Sequence, residues 1–202
     1  MSSRMMPDDD AAAVERAREG DLEAFNELVL RHQDAAFNVA YRLLGDPDTA
    51  ADMTQEALIA AYRKLDTYHG GSFRAWLLRI VSNRCLDELR RVKRHRTDYL
   101  DDLAPDSDDG APIPSTLPTP EQTVQQNELH RAIQDCIDAL GADQRAVLVL
   151  CDVQGLSYQE IAESTQTNIG TVKSRLARAR VAMRACLQAS QELLPLELRL
   201  FK

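Results

Sequence analysis

The 202-residue chain is poor in aromatic side chains, at 5% of the total, and poor in β-branched runs. Ala, Leu, Arg, Glu and Gln dominate instead, and these favour helix. Extended sheet is therefore not expected. No apolar run approaches the roughly 20 residues that a membrane-spanning helix needs. The start, MSSRMMPDDD, has no apolar core of the signal-peptide kind. A cytoplasmic protein without lipid contact of its own is the expectation. The four histidines and four cysteines show no metal-ligand spacing. Neither metal nor cofactor is implied, and Cys85, Cys136, Cys151 and Cys186 are expected as reduced thiols packed like small hydrophobes.

Base is missing from one place. Residues 98–121, DYLDDLAPDSDDGAPIPSTLPTPE, hold seven acids, five prolines and no Lys or Arg. The net charge of -8 comes almost wholly from there, since residues 1–97 carry 15 bases against 16 acids and residues 122–202 carry nine of each. Overall acidity thus does not argue against anion binding by either flank. So polar a segment buries too little surface to offset its ordering entropy. It is expected to be a flexible linker between two small helical domains, 1–97 and 122–202. Asp106, Asp108, Asp109 and Gly110 suggest a calcium loop only faintly, because the later ligands are missing.

In the first unit, periodicity predicts helices over about 11–19, 22–44, 47–65 and 73–94. Gly45 ends the second, Asp46 caps the third with Pro47 at its first position, and Ser72 caps the fourth. Trp76, Leu77, Ile80, Val81 and Leu86 are expected to face inward. The fourth ends in RRVKRHR, five bases in seven residues, an electrostatic footprint for phosphates. Arg79, Arg84, Arg90 and Arg91 could follow a backbone.

In the second unit, helices are expected over about 120–140 and 142–152. Gly155 then breaks the chain. Ser157 and Glu160 have the spacing of a capping box and open a short helix to about 164. A turn follows, then a long helix over about 168–193. This is a helix-turn-helix pattern. Val172, Leu176, Ala179 and Met183 form an inward stripe, leaving Lys173, Ser174, Ala177, Arg178 and Arg180 outside. Small Ser174 and Ala177 allow close approach to a major groove, and Lys173 and Arg178 can donate to guanine or phosphate. Thr171, at the helix start, suits a phosphate.

These residues carry a resemblance. GLSYQEIAE followed by GTVKSRLARAR is similar to the −35-reading half of bacterial extracytoplasmic-function (ECF) sigma factors. DTAADMTQEALIAAYRKLDTY resembles that family's polymerase-binding helix, and FRAWLLRIVSNRCLDELRR its −10-reading and melting helix. The resemblance spans about residues 20–188, in the family's order. It implies a non-enzymatic specificity subunit that binds core RNA polymerase and promoter DNA, commonly under an anti-sigma factor. It places Lys173, Ser174, Ala177 and Arg178 at bases, with Thr171 and Arg175 at the backbone. It places Asp52, Gln55, Glu56 and Tyr62 at the polymerase clamp. It puts Tyr68, His69, Gly70 and Gly71 in a loop that holds a flipped −10 base, with Asn83 and Asp87 near the pocket. The acidic linker would thread polymerase channels that otherwise hold nucleic acid.

The chain departs from the family at several positions. Gln166 stands where the turn usually has Gly, followed by Thr167 in place of an apolar residue. Cys151 stands at a position commonly Arg, Gly141 lies where a proline is common, and Ala51 replaces an acid. A free-standing helix-turn-helix regulator would explain 142–188 but leave the first unit idle. A helical-bundle enzyme would need convergent ligands such as Glu-x-x-His pairs, which are not found.

Overall fold

In the computed structural model, residues 7–98 and 120–189 are described, with side chains over 10–94 and 128–189. Most of the acidic segment and the tail ELLPLELRLFK lie outside them. The described elements are helical. They are α1 (Pro7–Arg18), α2 (Leu22–Leu44), α3 (Pro47–Arg63), α4 (Phe73–Asp98), α5 (Pro120–Asp138), α6 (Ala142–Leu148), α7 (Tyr158–Ser164) and α8 (Ile169–Ala189). A 3-10 turn, Leu65–Thr67, follows α3, and α6 runs on into a π turn over Val149–Val153.

Local chemistry sets the boundaries. The Asp21 carboxylate accepts from the Ala24 amide at the head of α2. Gly45, at φ 79°, closes that helix by donating its amide to the Tyr41 carbonyl. Only a residue tolerant of the left-handed region turns the chain so sharply there. Asp46 then caps α3 through the Thr49 amide at 2.7 Å, and Ser72 accepts from the Ala75 amide at the head of α4.

Two cores result. One lies at the outer end of the first unit, where Val14, Leu28, Ala61, Leu65, Tyr68, Phe73 and Leu77 meet. The other joins the units. Ala36, Val39 and Leu43 of α2 and Leu78, Val81 and Cys85 of α4 share it with Ile137, Val147, Leu150, Ile161, Val172 and Leu176 of the second unit. Removing this apolar area from water is what holds the halves together. Polar contacts fix the fit. Arg145 donates to the Leu43 carbonyl at 2.6 Å, Arg42 to Gln134 at 3.0 Å, and Arg74 to the Gln154 carbonyl at 2.8 Å. The Ser82 and Ser164 hydroxyls, both buried, meet at 3.4 Å between α4 and α7.

The cysteines require a correction. Cys136 and Cys186 are not reduced thiols but a disulfide, with Cα atoms 5.7 Å apart. Fifty residues separate them in sequence, so pairing follows from α5 lying against α8, which spacing alone could not reveal. Cys85 is a buried free thiol, its pKa pushed up to about 12 by burial. Cys151 is also free and half-buried.

Candidate nucleic-acid interface

The basic face of the second unit depends on α7, the turn and α8. Ser157 and Glu160 close a full capping box, in which the Ser157 hydroxyl accepts from the Glu160 amide and the Glu160 carboxylate accepts from the Ser157 amide. The turn is held by the Thr165 amide donating to the Ile161 carbonyl at 2.9 Å and the Thr167 amide to the Ala162 carbonyl at 3.0 Å. Between them Gln166 takes φ 52°, the one positive φ at a non-glycine residue among the described residues. The Asn168 side chain starts α8, accepting from the Thr171 amide at 2.7 Å and its hydroxyl at 3.1 Å.

Val172, Leu176 and Ala179 are buried and Met183 packs beside them. The opposite face therefore presents Lys173, Ser174, Ala177, Arg178 and Arg180 to solvent. Two of its arginines are already engaged. Arg175 meets Asp143 at 2.5 Å. Arg180 holds both carboxylate oxygens of Asp152, at 2.9 and 2.6 Å, and this hydrogen bonding pulls Asp152 below the usual carboxylate value. Among the described residues, Lys173 and Arg178 have no such partner.

In the first unit, Asp52, Gln55, Glu56 and Tyr62 are all exposed. Their spacing places them on one stripe of α3. Ile59, 47% exposed, lies on the same stripe. Sequence reasoning missed it, though its distance of three and seven residues from Glu56 and Asp52 was the available signal. An apolar anchor ringed by polar groups suits a protein contact.

The loop before α4 divides its residues. His69, Gly70 and Gly71 are exposed. Tyr68 is buried, with its hydroxyl donating to the Gly71 carbonyl at 2.7 Å. Its ring lies edge-on to Phe73 and Trp76, each at 5.7 Å, and Arg18 donates to its carbonyl. Tyr68 thus braces the loop from beneath while His69 is its open side chain. Along α4, Arg79 and Asn83 are half-buried, and Arg84, Asp87, Arg90 and Arg91 are exposed. Arg90 pairs with Asp87 at 2.8 Å, Arg91 with Glu88 at 2.6 Å and Arg84 with Glu56 of α3 at 3.7 Å.

Two family models match this chain, Sigma-70 region 2 over residues 28–95 and Sigma-70 region 4 over residues 130–183. The RNA polymerase sigma-H factor of Pseudomonas aeruginosa is 36% identical, covering 89% of this chain and 94% of that protein. The ECF sigma-E factor of Escherichia coli K12 is 35% identical over 86% of this chain and 92% of its own length. The chain belongs to the ECF sigma factors. SigE of Mycolicibacterium smegmatis is 38% identical over 81% of this sigma factor, which spans only 61% of that relative.

Solved structures agree. RpoE of Bartonella quintana, crystallised with the anti-sigma factor NepR, matches with a TM-score of 0.65 at 26% identity, covering 81% of this chain and 96% of its own. CnrH, in complex with the cytosolic domain of CnrY, gives 0.62 at 29% identity, covering 90% and 98%. The region 2 match includes the α3 stripe and the α4 arginines, and the region 4 match includes every residue of the α8 basic face. Cys186 lies beyond both.

Proposed function

We propose that this sigma factor is a dissociable specificity subunit of RNA polymerase that recognises both promoter elements. The observation that carries the reading is the coexistence, in one chain, of an exposed docking stripe on α3, a basic α4 and a capped helix-turn-helix with an open small-and-basic face. Asp52, Gln55, Glu56, Ile59 and Tyr62 dock on the polymerase. His69, Arg79, Asn83, Arg84, Asp87, Arg90 and Arg91 meet the −10 region, with Tyr68 supporting their loop. Lys173, Ser174, Ala177 and Arg178 read the −35 bases, flanked by Thr171, Arg175 and Arg180 at phosphates.

Sigma factors confer promoter specificity and do no bond chemistry themselves, so the residues act by binding. The α8 face presents no bulk where the groove floor would lie, and donors at Lys173 and Arg178 match guanine acceptors. The structural likeness to RpoE with NepR and CnrH with CnrY supports control by an anti-sigma factor.

Run-off transcription with core polymerase across genomic promoter fragments tests the proposal. Defined transcripts that need both this chain and core polymerase are expected. DNA binding without polymerase association in a pull-down would instead favour the stand-alone regulator.

A further inference from the structure

Neither polymerase docking nor promoter reading makes use of the bond between Cys136 and Cys186. Its place in the fold gives it leverage. Cys136 lies in the last turn of α5 and is 1% exposed, whereas Cys186, near the end of α8, is only half-buried. The bond closes a 50-residue span that contains α6, α7 and all but the end of α8. It thereby ties the DNA-facing helix to the helix that grips the first unit.

That grip is concentrated around Cys136. Two residues before it, Gln134 accepts from Arg42 at 3.0 Å. Two residues after it, Asp138 pairs with Arg145 at 2.9 Å, and Arg145 in turn holds the Leu43 carbonyl. A Cβ at Gly45 would lie 2.9 Å from the Asp138 carboxylate, so α5 fits closely against the end of α2. While this contact stands, α7 covers one flank of α4 at the buried Ser82–Ser164 pair. A melted strand cannot lie along that flank.

We propose that Cys136–Cys186 is a redox modification site for dithiol reductants: the oxidised pair fixes α8 against α5 and so keeps the second unit in the form that packs on the first, while reduction loosens that unit and lets the two separate. This rests on the sigma-factor reading. A polymerase subunit works beside the chromosome, where mesophilic thiol pools keep cysteines reduced and the disulfides that do form are usually transient or redox-sensing.

The exchange needs one dithiol. One of its thiolates attacks the Cys186 sulfur, the more accessible of the two. The Cys136–Cys186 bond breaks, and Cys136 leaves as a thiolate that takes up a proton. The reductant's second thiolate then attacks the mixed disulfide, expelling Cys186, which is protonated, and closing the reductant's own disulfide. Two electrons pass from the reductant to the pair. A small-molecule disulfide runs the sequence backwards. Cys85 does not compete, being buried with its thiol pushed up to about 12. Opening the bond returns to α5 and α8 the relative freedom that the cross-link had removed.

The test uses the full chain in dithiothreitol buffers of stepped reduced-to-oxidised ratio. Free thiols are trapped with a maleimide and assigned by mass spectrometry. Cys136 and Cys186 should gain label together as the buffer becomes reducing. Small-angle scattering on the same samples should give a larger radius of gyration for the reduced chain. Run-off transcription should rise at least fivefold from oxidised to reduced protein. Cys136→Ala and Cys186→Ser, made separately because Cys136 is buried, should behave as the reduced form in every buffer, whereas Cys151→Ser should keep the response. A pair that stays dithiol throughout would overturn the proposal. So would equal radii for the two forms, or an oxidised chain that transcribes as well as or better than the reduced one. Labelling and scattering do not depend on transcription, so a chain that passes both yet never transcribes would count against the sigma-factor reading instead.

Discussion

Arg145 of the second unit donates through Nη1 to the carbonyl of Leu43 in the first, at 2.6 Å. The same guanidinium reaches the Asp138 and Leu140 carbonyls, at 2.5 and 3.4 Å. One side chain therefore satisfies the ends of two helices and joins two units. Burial makes this charge expensive and holds its pKa down, partly offset by Asp138.

Arg145→Ala should leave the Leu43 carbonyl buried without a donor. A loss of about 1–3 kcal/mol is expected. Urea unfolding would measure it, with a lowered midpoint for the contact between the units.

Gln166→Gly should act the other way. A side chain in the left-handed region costs about 1–2 kcal/mol, and glycine removes that strain while adding unfolded-state freedom. A net gain of about 0.5–1 kcal/mol is expected, read as a rise in thermal midpoint with −35 DNA affinity kept.

Arg178 and Arg180 are neighbours on the sequence map but not in chemistry. Arg178→Ala should weaken −35 binding by about 1–3 kcal/mol, as for a base-reading contact. Arg180→Ala should cost less, because its guanidinium must first release Asp152. Arg175→Ala, at a residue placed against the phosphates, should flatten the salt dependence of binding by about 0.9 in log–log slope. Titrations of promoter DNA at several salt concentrations separate these effects.

The acid limb of stability follows from Asp46 and Asp152. The Thr49 side chain and amide depress Asp46 below 3.8, and hydrogen bonding from Arg180 depresses Asp152. Their stabilisation is present above the unfolded carboxylate value, about 3.9, and is lost as pH falls through the folded values. Asp138 has the opposite sign, because burial raises its pKa. Urea midpoints should therefore drop below about pH 4. The drop should be shallower in Asp152→Asn, whereas Asp138→Asn should lose a stability gain that the native chain makes as pH falls toward about 4.

Helix ends were legible wherever local chemistry decides them. Asp46–Pro47, Ser157–Glu160 and Gly45 stand where caps and a left-handed stop require them. The α8 stripe was equally readable, since a 3.6-residue period sorts Val172 from Lys173. Gln166 stood out only through the family resemblance, which places Gly there, and its left-handed backbone supplies the reason. What sequence could not give was partnership across distance. The disulfide, the Arg145 contact with Leu43, and the engagement of Arg175 and Arg180 by acids all join residues 28 to 102 positions apart. The burial of Tyr68 was not legible for the same reason, as it depends on Phe73, Trp76 and Arg18 meeting it from elsewhere.

Glu56 and Arg84, 3.7 Å apart and each about half exposed, link the stripe proposed for polymerase to the helix proposed for promoter DNA. An exposed pair of this kind contributes at most about 1 kcal/mol, so either partner gives it up readily for a stronger one. A polymerase cation that claimed the Glu56 carboxylate would leave the Arg84 guanidinium without its neutralising neighbour and open to a phosphate. Docking would then sensitise the chain to phosphate, an ordering of events written into a single weak ion pair.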